Sequence, residues 1–574
     1  MELSSMPGFT LIYQKDGLDE SIAKRTDRLV KASFKIQYII KKEDLIVLFR
    51  DGNQYPFRVI ETGRYIILVE GKIYNTDPEH DKVFIKNVKN IAKTGDTNLL
   101  DYFHSLDGEF VIYVINRLNR HVVMINDYLG RLPLYAWHQR RFILSRDIFV
   151  MDKVTTGLLF DETSVYQYLR LGFPMGKRTL FHDIDRIPGS SFLTIDDNGV
   201  HLREGSFDEA VFSDTHTGKE PEKALYELFR KAVKDRLQTE SKVVVSLSGG
   251  MGSRLIAGEI EKSNYAADFA TYTTETPVFG KEMEVVKKIG KHYEHSPHVT
   301  VCKTWSPEFF DELAGAKGGM NDFGRAFEMQ FLKDIASRFH EMITGYGMAS
   351  TLAFLFPEVP VSKKKFATYV LKKHRVSKIR TLDRFFLFDL KKEEKNLREQ
   401  LLDLPVKNTI LKYKYFLLAE MARNLLFEEE DRDRSFIWST SPFYNPDFYR
   451  LAHAVPEKLK RKYALLEKFT RLVDPKLAEI PHAQWDFAIA EKQRVRKMIF
   501  REKLRHYFSG FKREEMDYDR QEEMATLVGS LMNKGYGGQL SMYANKYYLS
   551  MTREETLYHL IALLKVSEMS WKSI

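Results

Sequence analysis

Short runs of β-branched and aromatic residues separated by turn residues fill the chain from Gln37 to about Arg146: YIIKKEDLIVLF, DGNQYPF, RYIILVEGKIYN and GEFVIYVINRLNRHVVMIN. The apolar–polar alternation read in FVIYVIN and HVVMIND predicts half-buried antiparallel strands. From about Glu222 the texture changes. Apolar helices alternate with the short strands VVVSLSGG, DFATYTT, HVTV and EMITGYG, a pattern that predicts a parallel sheet with helices on its faces. Beyond roughly Phe366 the sequence turns helical and charge-laced. The polar segment from Asp208 to Lys219 is the best place for a boundary between the two textures.

At 574 residues the chain exceeds what one hydrophobic core serves, so two domains plus an extension are expected. Hydrophobic content of 44% supplies ample core, and no apolar run nears the length of a membrane span. No leader is recognisable at the N-terminus, so a cytoplasmic protein is expected. The single cysteine, Cys302, excludes an intrachain disulfide and a thiolate zinc cluster, and reads as a buried small hydrophobe. The net charge of +9 gathers in KKKFATYVLKKHRVSKIR from Lys363 and EKQRVRKMIFREKLRHYF from Glu491. These runs read as solvated helix faces. With no nucleic-acid motif beside them, neither nucleic acid nor membrane is an expected partner.

One segment carries candidate chemistry. VVVSLSGGMGSRLIAGEI, Val243–Ile260, is a β-branched strand feeding a Gly-rich turn that opens a helix, and such a turn directs backbone N–H groups at an anion. Its core, Ser248 to Ser253, resembles the SGGxDS loop of ATP-pyrophosphatases, with Gly252 where that pattern has Asp. In the family this Asp helps hold magnesium, which glycine cannot do by a side chain.

Further strings extend the resemblance. DGEFVIYVINRLNRHVVMINDYLGRLPLYAW, Asp107–Trp137, is similar to the glutaminase domain of asparagine synthetases, with Asp127, Gly130, Pro133, Leu134 and Tyr135 in register. RTLFHDIDRIPGS, DGNQYPF and EGKIYN resemble further strings of that domain. SGGMGS, ITGYG and SPFYNPDFYRLAHAVPEKLK resemble the synthetase half, so the likeness spans roughly residues 35 to 490. It implies an N-terminal αββα sandwich of the N-terminal-nucleophile type over 1–206. An α/β parallel-sheet ATP-pyrophosphatase domain over 220–513 and a helical extension over 514–574 follow.

The departures bear on function. Glutamine hydrolysis in this family needs an N-terminal cysteine as nucleophile. This chain begins Met-Glu-Leu-Ser-Ser, and neither Ser4 nor Ser5 is terminal. Glu70 and Lys72 replace the Asn and Glu of the family's NGE string. Asp96 in TGDT resembles a substrate contact but cannot supply a nucleophile. Glutaminase activity is therefore expected to be absent.

In the synthetase half, Tyr346 stands where asparagine synthetases carry Glu and the β-lactam-forming relatives carry Tyr. The resemblance implies a general base there, provided its pKa falls toward neutrality, or a residue that packs beside a nucleotide. Gly347-Met348-Ala349 lacks the family's second metal acid, and IPHAQWDF places Gln484 or a neighbour where a pyrophosphate lysine is expected. Arg254, Asp322 and Lys492 are candidates for compensating charge, Arg254 the best of them.

The implied nucleotide site comprises Leu247, Ser248, Gly249, Gly250, Gly252, Ser253, Arg254, Tyr272, Thr344 and Gly345, with ATP as ligand, magnesium doubtful and Tyr346 the catalytic residue. Two readings stand. One is an ATP-dependent, AMP-forming carbon–nitrogen ligase acting on a small-molecule or peptide carboxylate. The other is a silent pseudo-synthetase that binds a protein partner.

Overall fold

The computed structural model describes residues 6–33, 35–52, 54–155, 157–205, 218–238, 241–353, 362–508, 518–534, 540, 549 and 552–571. The segment Asp208–Lys219 lies almost wholly outside them, as do Ser4 and Ser5.

The first half is a sandwich of two antiparallel sheets. Twelve strands run β1 (Gly8–Tyr13), β2 (Ile36–Lys41), β3 (Leu45–Arg50), β4 (Phe57–Thr62), β5 (Tyr65–Ile73), β6 (Gly108–Asn116), β7 (Val122–Asn126), β8 (Tyr135–His138), β9 (Phe142–Ser145), β10 (Ile184–Arg186), β11 (Phe192–Asp196) and β12 (Gly199–Arg203). They pair in the orders β10-β8-β9-β1-β3-β2 and β12-β11-β7-β6-β5-β4. The period of two sorts each strand between layers. On β6, Val111, Tyr113 and Ile115 face the other sheet, whereas Phe110, Ile112 and Val114 face the Lys82–Thr94 helix. On β3, Val47 and Phe49 point into the sandwich while Ile46 and Leu48 point to the helices Glu20–Ala32 and Ile148–Val154. The layers are therefore αββα. The expectation of half-buried strands fails for β6 and β7, every residue of which is buried except Gly108, because helices cover the face left to solvent in an open sheet.

The second half is built on five parallel strands: β13 (Val243–Ser246), β14 (Asp268–Thr274), β15 (His298–Cys302), β16 (Glu341–Ile343) and β17 (Trp438–Thr440). Their order is β15-β14-β13-β16-β17. From β13 the chain runs outward to β14 and β15, then returns to the other side of β13 for β16. The direction of winding thus reverses between β13 and β16, where open α/β sheets form a ligand crevice at the strands' carboxyl ends. A two-stranded ribbon, β18 (Pro481–His482) with β19 (Phe487–Ala488), lies further on.

The C-terminal helix Glu554–Trp571 is no appendage. Leu557, Leu560, Ile561 and Leu564 are fully buried in the same core as Ile148 of the sandwich and Met342 of the parallel sheet. Among the described residues no helix is long and apolar enough to cross a membrane.

Candidate functional site

The Gly-rich turn falls at the sheet's switch point. β13 ends at Ser246, Gly250 caps the Met251–Ser263 helix, and no side chain caps that helix. A helix N-terminus facing a crevice is the expected place for an anion. The turn is nonetheless occupied from within. The Ser253 hydroxyl accepts from Ser248 N at 2.9 Å and lies 3.1 Å from the Ser248 hydroxyl, which accepts from Gly250 N at 3.3 Å. Outside it, Ala483 from the ribbon and Glu282 press on Gly249: a Cβ there would lie 2.5 Å from Ala483 Cβ and 3.2 Å from Glu282 Cα.

The most consequential contact joins the two loops of the crevice. A Cβ on Gly252 would lie 2.5 Å from Gly345 O and 2.9 Å from Gly345 Cα; one on Gly345 would lie 2.5 Å from Ser253 N. Two backbones meet there with nothing between them. The position where the family pattern has its metal-binding Asp admits no side chain in this packing. Gly347, at φ +84°, is likewise held against the Tyr444 ring, 2.8 Å from where a Cβ would stand.

Arg254 does not serve a phosphate as expected. It is fully buried, and its guanidinium donates to the carbonyls of Leu477 (3.2 Å), Ile480 (2.7 Å), Gly249 (3.3 Å) and Pro481 (3.0 Å). With no carboxylate beside it, burial pulls its pKa down to about 10. Its work is to staple the turn to the ribbon.

The other expected nucleotide residues are also engaged. Leu247 is buried in the core and its N–H donates to Ala270 O at 2.8 Å. Thr344 donates from N and Oγ1 to Thr440 O, at 2.8 and 3.2 Å. Tyr272 donates to Glu328 Oε1 at 3.1 Å within a cluster formed with Phe279, Phe327 and Phe331.

Tyr346 is a poor base here. Burial first, then Asp433, push its phenol well above the ordinary value, although Arg325 and Arg432 oppose this. The compensating candidates are also occupied: Asp322 caps a turn by accepting from Gly324 N at 2.8 Å, and exposed Lys492 lies 3.6 Å from Glu467. Glu282 is an acid beside the turn that sequence reading missed, and burial raises its carboxyl pKa. Nothing in its sequence neighbourhood points to it.

The two positions where the family pattern has its acids carry no carboxylate here. Gly252 carries none, Met348 is buried and apolar, and Ala349 is exposed. Among the described residues no group of three or more His, Cys, Asp or Glu side chains could hold a metal ion.

Glu70 and Lys72, expected to replace residues of the family's NGE string, are both held in ion pairs. Glu70, fully buried, accepts from Phe9 N (3.2 Å), Tyr55 OH (2.7 Å) and Arg146 Nε (3.0 Å). Arg146 continues to Asp431 of the Phe427–Asp433 helix, and Lys72 pairs with Glu341 of β16. Arg131 bridges Glu109 to Glu430; Lys317 joins Glu428 (2.8 Å) to Asp431 (2.7 Å); Arg236 binds Asp107 at 2.8 Å. These ion pairs, most of them fully buried, bolt the sandwich to the parallel sheet.

Asp96, expected as a substrate contact, caps a turn through Asn98 N at 3.0 Å. Cys302 is buried, as expected, and burial pushes its thiol up to about 11.

Fold and site together define a two-domain protein in which an amidotransferase-type αββα sandwich is joined to a parallel-sheet synthetase unit. Two family models match the chain and support an asparagine synthetase-like protein: residues 44–207 match the model described as a glutamine amidotransferase domain, and residues 224–315 the model described as asparagine synthase. No curated protein matches the chain. Among solved structures it is similar to the allosteric regulatory enzyme of purine biosynthesis, with 9% identity over 52% of this chain and 75% of that one and a TM-score of 0.19. It is also similar to glutamine phosphoribosylpyrophosphate amidotransferase from B. subtilis in complex with ADP and GMP, with 10% identity over 54% and 87% and a TM-score of 0.19. At such scores these likenesses carry no weight, and the fold rests on strand order and layering.

Proposed function

We propose that this protein is a pseudo-synthetase: an asparagine synthetase-like chain that neither hydrolyses glutamine nor forms an amide, and that works as a rigid two-domain binding protein. The observation that carries this reading is the backbone contact between Gly252 and Gly345. It fills the place of a metal-binding carboxylate with main chain, and a departing pyrophosphate then lacks its counter-cation. On the glutaminase side, the sole cysteine is Cys302 on β15, far in sequence from the sandwich, and Glu70 and Lys72 are tied into ion pairs.

A second reading, an ATP-dependent carbon–nitrogen ligase, has the switch-point position of the uncapped Met251–Ser263 helix in its favour. Titration calorimetry with millimolar ATP, with and without magnesium, separates the two, alongside assays for pyrophosphate release and for glutamate formed from glutamine. The pseudo-synthetase gives no metal-dependent heat and neither product. Magnesium-dependent ATP binding or pyrophosphate release overturns it and establishes the ligase.

A further inference from the structure

Strand β15, with the sequence HVTVC, is the outermost of the parallel sheet, and among the described residues no strand pairs with its outer edge. Its side chains divide by the period of two. His298 Nε2 lies 2.7 Å from Asp334 Oδ2, Thr300 donates to the same oxygen at 2.5 Å, and Cys302 is buried, so these three face the Glu328–Ala336 helix. Val299 and Val301 face the other way, on the side where the Pro277–Tyr293 helix packs on β14. They are 42% and 73% exposed.

The same alternation sorts the backbone. Thr304 N donates to Glu275 Oε1 at 3.2 Å and so points toward the end of β14, which puts the N–H and C=O groups of Val299, Val301 and Lys303 on the outer edge. One of the three is closed. Lys303 donates from N to Gln330 Oε1 at 3.2 Å, and its carbonyl accepts from Gln330 Nε2 at 2.9 Å, so one amide side chain stands in for a neighbouring strand. The edge stays open at Val299 and Val301. Sheets that end in solvent guard such positions with charge, proline or a covering segment, because exposed β-branched residues beside unpaired backbone invite another strand. Neither valine has that protection.

The strand is also its own complement. In an antiparallel pair of identical strands, opposed residues must share a backbone orientation, so the central residue meets itself. Centred on Thr300, Val299 of one copy opposes Val301 of the second, and each such pair exchanges both N–H···O bonds while its side chains touch. Charge agrees with this register. Lys303 then opposes Pro297 of the second copy, three positions from Glu294; both ions are exposed, and neither has an ion pair among the described residues. A two-fold contact of this kind closes on itself and leaves no edge over.

We propose that β15 is the interface of a homodimer, in which two copies pair these edges antiparallel about Thr300 into one continuous sheet. The proposal does not rest on the pseudo-synthetase reading, since β14 separates β15 from the switch-point strand β13. Sedimentation velocity on the full chain, from micromolar to several hundred micromolar, tests it. The chain reaches twice its monomer mass at the top of that range. Val301→Asp sets a carboxylate beside each Val299, and Val299→Pro removes an outward N–H without touching the pairing to β14; each raises the dimer Kd by about tenfold or more. Both are exposed edge positions at which a folded monomer accepts charge or proline, and far-UV circular dichroism verifies the fold. Thr300→Cys meets itself in a non-hydrogen-bonded pair with Cα atoms about 4.5 Å apart, within the reach of a disulfide, and so cross-links two chains under mild oxidation. The parent chain, whose one cysteine is buried, does not. A monomer throughout, growth beyond a dimer, unchanged affinity in either valine variant, or no cross-link in Thr300→Cys overturns the proposal.

Discussion

The two regions that carry the family strings are packed in opposite ways. In the sandwich, the substrate-string positions carry charge, and Glu70 and Lys72 reach partners that include the neighbouring half. At the switch point main chain meets main chain, Gly252 against Gly345. A buried ion network is costly to assemble and still costlier to break in part, because the abandoned charge stays out of water. A glycine contact carries no charge and tolerates nothing larger. On the proposed pseudo-synthetase reading, both arrangements put protein where the family places a ligand.

The sharpest way to break this comparison is to remove one ion of the network. Asp431 is fully buried, receives Arg146, Lys317 and Arg434, and is held at a pKa of about 2 against burial by those cations. Asp431→Ala strands them, and denaturant unfolding should show a loss of about 3–5 kcal/mol. A loss under about 1 kcal/mol means that water reaches these groups and that the halves are not bolted by charge.

The steric side of the comparison has a smaller expected effect. Gly252→Asp restores the family's acid in sequence, but its Cβ meets Gly345 O at 2.5 Å. The expected cost is about 1–3 kcal/mol, typical of overpacking against atoms that cannot rotate away. Gly252→Ala should cost nearly as much, since the clash begins at Cβ. If Gly252→Asp is neutral in unfolding and gains magnesium-dependent ATP binding, the two loops part readily and the closed crevice is a resting state.

The layering and the parallel sheet were legible because both rest on local signals: period-two alternation, β-branched runs and Gly turns. The family strings that survive are largely architectural. Asp127 accepts from Leu129, Gly130 and Arg131 N, and a Cβ on Gly130 would meet Gly189 N at 2.8 Å, so the Asp127–Gly130 and Pro188–Gly189 strings form one packed corner. What stayed hidden is long-range. The sequence EEEDRDR, Glu428–Arg434, is charged at every position, yet all of its side chains are buried, because its partners outside the run lie between 104 and 303 positions away. Arg254 looked ready for a phosphate because its nearest neighbours in sequence are the turn; its carbonyl partners come from the remote 477–481 segment. The C-terminal helix looked unmatched, and no local pattern tells that its apolar residues close the core between the halves.

That packed corner yields the finest test of how charge and closeness share the work. Asp127 is fully buried, and burial outweighs three backbone donors and Arg131 to raise its pKa from 3.8 to about 6. Between those values the folded chain binds a proton that the unfolded chain does not, so this carboxyl favours folding as pH falls from 7 to 5 and loses that contribution as pH rises through 6. The half-buried histidines His374 and His482, both lowered to about 4, act oppositely, since the unfolded state protonates first. Total stability against pH therefore mixes signs, and only a difference isolates Asp127. Asp127→Asn keeps the shape and one acceptor oxygen but cannot titrate. On going from pH 7 to 5 the variant should lose about 1 kcal/mol more than the parent chain, read from paired denaturant curves. Parallel curves would mean that the backbone donors hold Asp127 ionised throughout, and the corner would then be a charge site like the network rather than a steric one like the glycines.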